Sequence, residues 1–155
     1  MRKRYLLIAV AWLMYLLAWT IPVYQYGVVL PKALPGWKAL GVSFSPLLDY
    51  LLGKRIEASL KPALLWAISG ATNLSMIGSV WAVKARGRRV LNVLFWMSVG
   101  AAIINAHWYV WGGSELRIGY FLWWLSFLVL AGGIHIVLKA EGDEPGDLQR
   151  PVSAD

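Results

Sequence analysis

The sequence predicts an all-α polytopic membrane protein: a four-transmembrane-helix bundle with a short interfacial or re-entrant helix in its first outer loop. Three observations carry this expectation. The chain of 155 residues is 59% hydrophobic and only 15% charged, where a soluble domain usually carries about 25% charged residues. Its apolar residues gather into four runs, each able to supply the roughly 20 residues that a bilayer-spanning helix needs. Its basic residues stand in short blocks between those runs, the pattern that sets membrane topology. Lipid cannot satisfy an open strand edge, so the runs are expected to be helices. A chain of this length makes a single domain.

The first run, from Tyr5 to about Tyr24, follows Met1-Arg2-Lys3-Arg4. A cleaved signal peptide has an apolar core of about 7–15 residues and a small-residue cleavage site. This run is longer and ends in Trp19-Thr20-Ile21-Pro22, so it reads as an uncleaved anchor. The remaining spans are expected at about 62–83, 90–111 and 118–138, and none of the four contains Asp, Glu, Lys or Arg. The blocks Arg2-Lys3-Arg4 and Lys84, Arg86, Arg88, Arg89, together with Lys139, fall on one side of an even number of crossings. The positive-inside rule then puts both termini in the cytoplasm. The loop 25–61 and the turn 112–115 lie outside. Lys32, Lys38, Lys54, Arg55 and Lys61 are spread too thinly along that loop to reverse the assignment. Tyr24, Tyr26, Trp108, Tyr109, Trp111 and Tyr120 read as anchors at the outer interface, where amphipathic rings prefer to sit.

Pro31, Pro35 and Gly36 break the first half of the outer loop. Ser45-Pro46 then reads as an N-cap with proline at the first helical position. Leu47, Leu48, Tyr50, Leu51 and Leu52 follow, and Gly53 is a candidate terminator. This stretch is too short to cross a bilayer and fits a helix lying on the outer surface or dipping into it. Residues 1–139 form the membrane domain. Residues 140–155 read as an acidic, disordered cytoplasmic tail bearing Glu141, Asp143, Glu144 and Asp147.

The net charge of +7 does not point to nucleic acid, because no basic stripe stands on a soluble fold. With no cysteine in the chain, thiolate metal sites, disulfides and a cysteine nucleophile are excluded. Ion-coupled transporters and proton pumps normally hold an ionisable residue mid-span, and these spans have none. His107 and His135 lie near opposite ends of their spans, roughly 20–25 Å apart in depth. They cannot share one metal or haem, although each is a candidate ligand by itself; no cofactor is expected. In span two, Ser69, Thr72, Asn73, Met76 and Ser79 share one helix face. In span three, Ser98 and Asn105 stand one heptad apart. Ser69 should be level with Asn105, and Asn73 should face the Ser98–Ala102 region. The stripe is either a packing seam or the lining of a ligand or permeation path. Asn73, Asn105, Ser69 and Ser98 are therefore the candidate binding residues, with Trp37 and Tyr50 from the loop. Asp49 and Glu57 are the carboxylates to consider for catalysis, though they stand in no recognisable motif.

Four-span families with known chemistry lack their marks here. The small multidrug transporters need a carboxylate in the first span, and the membrane-bound glutathione and eicosanoid enzymes need an Arg/Asn/Glu pattern in the second. The run Leu34-Pro35-Gly36-Trp37-Lys38-Ala39-Leu40, followed by an asparagine-bearing second span, resembles a loose group of uncharacterised bacterial four-transmembrane proteins with an LPGW-type motif after the first span. The resemblance implies a bacterial inner-membrane location and no activity. The expected function is that of a small accessory or partner-binding inner-membrane protein, of assembly, regulatory or immunity type. Its partners would be the lipid bilayer and another membrane protein or a second copy. The alternatives are an oligomeric transport or channel subunit, and an enzyme acting on lipid at the outer face.

Overall fold

The apolar runs form helices, and the segment between the first two forms more structure than a connection requires. The computed structural model describes residues 5–26, 32–54, 60–85, 87–112 and 115–142. In chain order these make α1 (Leu6–Thr20), β1 (Pro22–Tyr26), β2 (Lys32–Pro35), α2 (Gly36–Leu51), α3 (Leu60–Ala71), α4 (Asn73–Ala85), α5 (Arg88–Gly112) and α6 (Ile118–Gly142). Three stretches are long and apolar enough to cross a membrane: Leu60–Trp81, Arg88–Val110 and Ile118–Ala140. Much of the outward surface is large and apolar, including Trp96, Ile103 and Val110. On a soluble protein such patches would be a liability; facing lipid they cost nothing. The acidic tail from residue 143 onward lies outside the described residues.

α1 is as apolar as its neighbours but runs for only 15 residues. The expected span 5–24 therefore loses its last turn. The cause is Pro22, whose ring disfavours helical backbone at the preceding residue. Ile21 accordingly has φ −96° and ψ 160°, and the chain continues as β1. The second span is interrupted at Thr72, between α3 and α4. Three neighbouring side chains turn back on the helix there. Thr72 Oγ1 donates to the Ser69 carbonyl at 2.6 Å, Asn73 Nδ2 to the Gly70 carbonyl at 2.7 Å, and Ser75 Oγ to the Thr72 carbonyl at 2.8 Å. Such side chains compete with the backbone ladder and bend helices.

The all-α expectation misses a hairpin. β1 pairs antiparallel with β2, with Tyr24 opposite Leu34 and Tyr26 opposite Lys32, and a bulge falls between Pro22 and Tyr24. The other edge of β1 is covered too. Tyr24 bridges Leu116, and the Arg117 N–H donates to the Val23 carbonyl at 3.1 Å. The hairpin is thus pinned along its β1 edge to the turn before α6. Gly119 permits the approach: a Cβ there would stand 2.5 Å from the Pro22 carbonyl oxygen.

α2 begins at Gly36, nine residues ahead of the expected N-cap, and runs through Pro46. Proline lacks the N–H that would bond the Val42 carbonyl. Ser45 Oγ donates to that carbonyl instead, at 2.9 Å. Ser45 is therefore a repair within the helix and not its cap. Gly53 does end the helix, at φ 65°. Its N–H bonds the Tyr50 carbonyl at 3.1 Å and the Lys54 N–H bonds the Asp49 carbonyl at 2.9 Å, the Schellman pairing that takes up orphan carbonyls.

α1 and α6 pack antiparallel along the core. Ile8, Ala11 and Tyr15 of α1 meet Phe127, Leu130, Ile134 and Val137 of the α6 side, with Met76, Leu91 and Leu94 closing the cluster. The hairpin, α2 and the α5–α6 turn gather at one end, here called the capped end.

Candidate ligand cavity and polar seam

The polar stripe of the second span faces inward, and its partners come from three other helices, α1, α5 and α6. Asn73 is buried. Its Oδ1 accepts from the Tyr15 hydroxyl at 2.8 Å and from Trp123 Nε1 at 2.9 Å. Ser69 Oγ donates to Asn105 Oδ1 and accepts from Trp108 Nε1, the latter at 3.1 Å. Asn105 Nδ2 donates to Thr72 Oγ1 at 3.0 Å and to the Ala101 carbonyl at 2.8 Å. The Tyr120 hydroxyl donates to the Asn105 carbonyl. Trp124 Nε1 reaches the Ala102 carbonyl at 2.8 Å, and Trp12 Nε1 reaches Ser79 Oγ at 2.9 Å. Among the described residues no buried side-chain nitrogen or oxygen lacks a partner. In a low-dielectric interior an unpaired group would be costly, so the seam is closed as hydrogen-bond bookkeeping.

Between this seam and the cap lies a cavity of about 480 Å³. α2 supplies one wall through Ala39, Leu40, Val42 and Ser43, and the hairpin adds Val23, Tyr24 and Leu34. Opposite stand Trp66, Ser69, Gly70 and Asn73 from the second span, with Trp108, Tyr120 and Trp123 from α5 and α6. Ala18 and Trp19 close the α1 side. Among the described residues the lining contains no Asp, Glu, Lys, Arg or His. A volume of a few hundred Å³ with mainly apolar and aromatic walls and a few placed polar groups has the character of a small-molecule site. Two phenols in the described lining could serve as a general acid, and both are engaged: Tyr24 donates to Glu115 and Tyr120 to the Asn105 carbonyl.

Spare bonding capacity is small and localised. Asn73 Nδ2 spends one hydrogen on the Gly70 carbonyl and keeps the other. Ser69 Oγ donates once and accepts once, which leaves one lone pair. Ser43 Oγ donates to the Leu40 carbonyl at 2.7 Å and can still accept. At the cap, Tyr24 donates to the Glu115 carboxylate.

The structure brings Ser69 and Asn105 together, as their expected depths require. It does not bring Asn73 to the Ser98–Ala102 region. Ser98 is fully buried and donates to the Leu94 carbonyl of its own helix at 2.8 Å. Asn73 looks instead toward α1 and α6. Trp37 is exposed and lies under its neighbour Lys38, whose ammonium is 5.1 Å from the ring centre. Tyr50 is also exposed, and neither residue lines the cavity. Asp49 sits in the last turns of α2, away from the lining. Glu57 lies outside the described residues. His107 contacts the Ile104 carbonyl of its own helix and stacks on Trp108, while His135 stacks on Phe95. Among the described residues no three potential metal donors converge.

The residues that sequence reasoning missed are the aromatic donors. Trp12, Tyr15, Trp123 and Trp124 went unassigned, and Trp108 and Tyr120 were expected at the membrane interface. Tyr109 is exposed and fits that expectation; Trp108 and Tyr120 turn inward to the seam. A usable signal existed in the ten tryptophans of the chain, since a mid-span indole N–H needs an acceptor and this chain has neutral acceptors at matching depths.

No protein-family model, curated protein or solved structure matches this chain.

Proposed function

We propose that this chain is a non-catalytic accessory protein of a bacterial inner membrane, with four crossings and both termini in the cytoplasm. In this reading it recognises another membrane component through its cap. One observation carries the proposal: the two faces of α2. Ala39 and Ser43 face the cavity, while Trp37, Leu48 and Leu51 form a stripe on another side of the helix and are exposed. A connection between two spans needs no such apolar stripe, whereas a recognition surface does. Tyr50 falls off the stripe, so Trp37 is the better of the two loop candidates.

A fourth crossing is proposed for α1 together with the hairpin. Fifteen helical residues rise about 22 Å, short of the roughly 30 Å hydrocarbon core. Extended residues 22–24 add about 3.3 Å each. Non-helical backbone is tolerated at that depth when its groups are bonded inside the protein, and β1 is bonded on both edges. Lys84, Arg88, Arg89 and Lys139, on helix ends opposite the cap, support a cytoplasmic location for that end. The Leu34–Leu40 motif supports an inner-membrane setting.

The transport reading is weaker on this geometry. Asn73 and Asn105 spend their groups on neighbouring helices, which supports a packing seam more than an open path. Unchanged flux in Asn73→Ala proteoliposomes would count further against it.

The test is native mass spectrometry of the protein extracted mildly from its own membranes. A partner should co-purify at fixed stoichiometry. It should be lost from a Trp37→Ser, Leu48→Ser, Leu51→Ser triple variant that still inserts and unfolds like the parent. A parent chain that purifies alone, or a variant that keeps its partner, sinks the proposal.

A further inference from the structure

The cavity raises a question independent of any protein partner: what fills it. At about 30 Å³ per molecule, some 480 Å³ corresponds to roughly sixteen waters. Each water wants two to four polar partners. The walls offer little beyond the second hydrogen of Asn73 Nδ2 and single lone pairs on Ser69 and Ser43. Water there would bond mostly to itself against indole and aliphatic walls. The cavity is partly open at its edge, so an apolar chain can enter it from the surrounding lipid. The walls instead suit an apolar body, and the indoles of Trp66, Trp108 and Trp123 give it flat surfaces to lie on.

The polar groups then select the head. Asn73 and Ser69 stand one turn apart on the same face, and both reach the cavity. Together they present one free donor and one free acceptor. Among the described residues the lining contains no cation to receive a phosphate and no carboxylate to receive an amine. Glu115 lies outside the lining and is engaged by Tyr24. A charged head brought against this wall would lose its hydration with no compensating partner.

We propose that the cavity between the seam and α2 binds an uncharged amphiphile: a lipid with a long apolar chain and one neutral hydroxyl- or carbonyl-bearing head, the head resting on Asn73 and Ser69. A hydroxyl accepts from Asn73 Nδ2 and donates to Ser69 Oγ; a carbonyl accepts from Asn73 alone. Ser43 provides a further acceptor on the cap side.

The experiment uses the full chain in phosphatidylethanolamine–phosphatidylglycerol vesicles with two photoactivatable probes. One is a diazirine-bearing monoacylglycerol and the other a diazirine-bearing phosphatidylglycerol of the same chain length. The monoacylglycerol probe should label the peptides carrying Trp66, Asn73 and Trp108 saturably, and unlabelled monoacylglycerol should compete. Ala39→Phe fills the cavity from the cap without touching the seam, and should abolish that labelling. Leu40→Trp serves if Ala39→Phe does not fold. Leu128→Trp, on the exposed face of α6, should leave labelling as it was. Labelling of these peptides that never saturates in the parent chain overturns the proposal, as does labelling that survives both filling variants. Stronger labelling of the same peptides by the phosphatidylglycerol probe overturns the neutral head and assigns the cavity to the chains of bulk phospholipid.

Discussion

Around Ile8, α1 meets α6 at a glycine, and a Cβ on Gly133 would lie 2.9 Å from Ile8 Cγ1. Two turns further along, at Tyr15, the same two helices are joined by a tyrosine hydroxyl and an indole N–H that converge on one asparagine oxygen. The first region is dry and close, filled by Leu91, Leu94, Phe127, Leu130, Ile134 and Val137. The second is held by long aromatic side chains that reach across a gap, with a cavity beside it. The difference teaches how a membrane bundle can make a site. Direct packing forces helices together, whereas Trp and Tyr donors keep them bonded at a distance and leave room between them. Where the hydrophobic effect gives no attraction between helices, both packing and hydrogen bonding remain available as adhesives.

Substitutions at matched positions sharpen this contrast. The largest effect is expected at the dry end. Phe127 is fully buried, and Phe127→Ala should cost about 3 kcal/mol, the low end of the range for such a change. Lipid is as apolar as the core, so lost packing dominates over transfer. At the capped end, Asn73→Ala orphans the Tyr15 and Trp123 donors and should cost about 2 kcal/mol. Reversible unfolding in mixed micelles measures both. A negligible cost for Asn73→Ala would mean that the seam does not hold the helices.

The two glycines give the next comparison. A methyl at Gly119 meets the Pro22 carbonyl oxygen and carbon, which are backbone and cannot rotate away. A methyl at Gly133 meets Ile8 chiefly through a side-chain atom. Gly119→Ala should therefore destabilise by about 1–3 kcal/mol and Gly133→Ala by less, in the same assay. The reverse order would mean that the hairpin yields more easily than its pairing suggests.

Ser45→Ala is expected to be milder. It leaves the Val42 carbonyl without its serine donor inside α2, costing about 0.5–1.5 kcal/mol. Faster hydrogen exchange in the second half of α2, with the bundle unaffected, would register it.

Much of the site was legible in the chain, but as half-bonds. Asn73, Ser69 and Asn105 stand out because neutral polar groups in apolar runs need partners. Ser69 and Asn105 could be matched because two adjacent spans joined by a short loop share depth. Asn73 could not be assigned its partners, since Tyr15 and Trp123 lie 58 and 50 positions away. The hairpin was hidden for a similar reason: Val23-Tyr24-Gln25-Tyr26 is good strand sequence, yet its edges are satisfied by residues 32–35 and by 116–117. α2 was truncated because Ser-Pro usually starts a helix, and only the Ser45–Val42 bond shows how this one continues.

By itself the sequence determined the apolar helices, the polar stripe on the second span and the glycine stop at the end of α2. These depend on hydropathy summed along the chain and on backbone bonds between residues three to five apart, both of which are local. Only the tertiary structure decided that the first helix gives way to a pinned hairpin, that the aromatic rings turn inward, and that a cavity opens between seam and cap. Those outcomes depend on which distant groups face one another, and composition and periodicity do not encode that pairing.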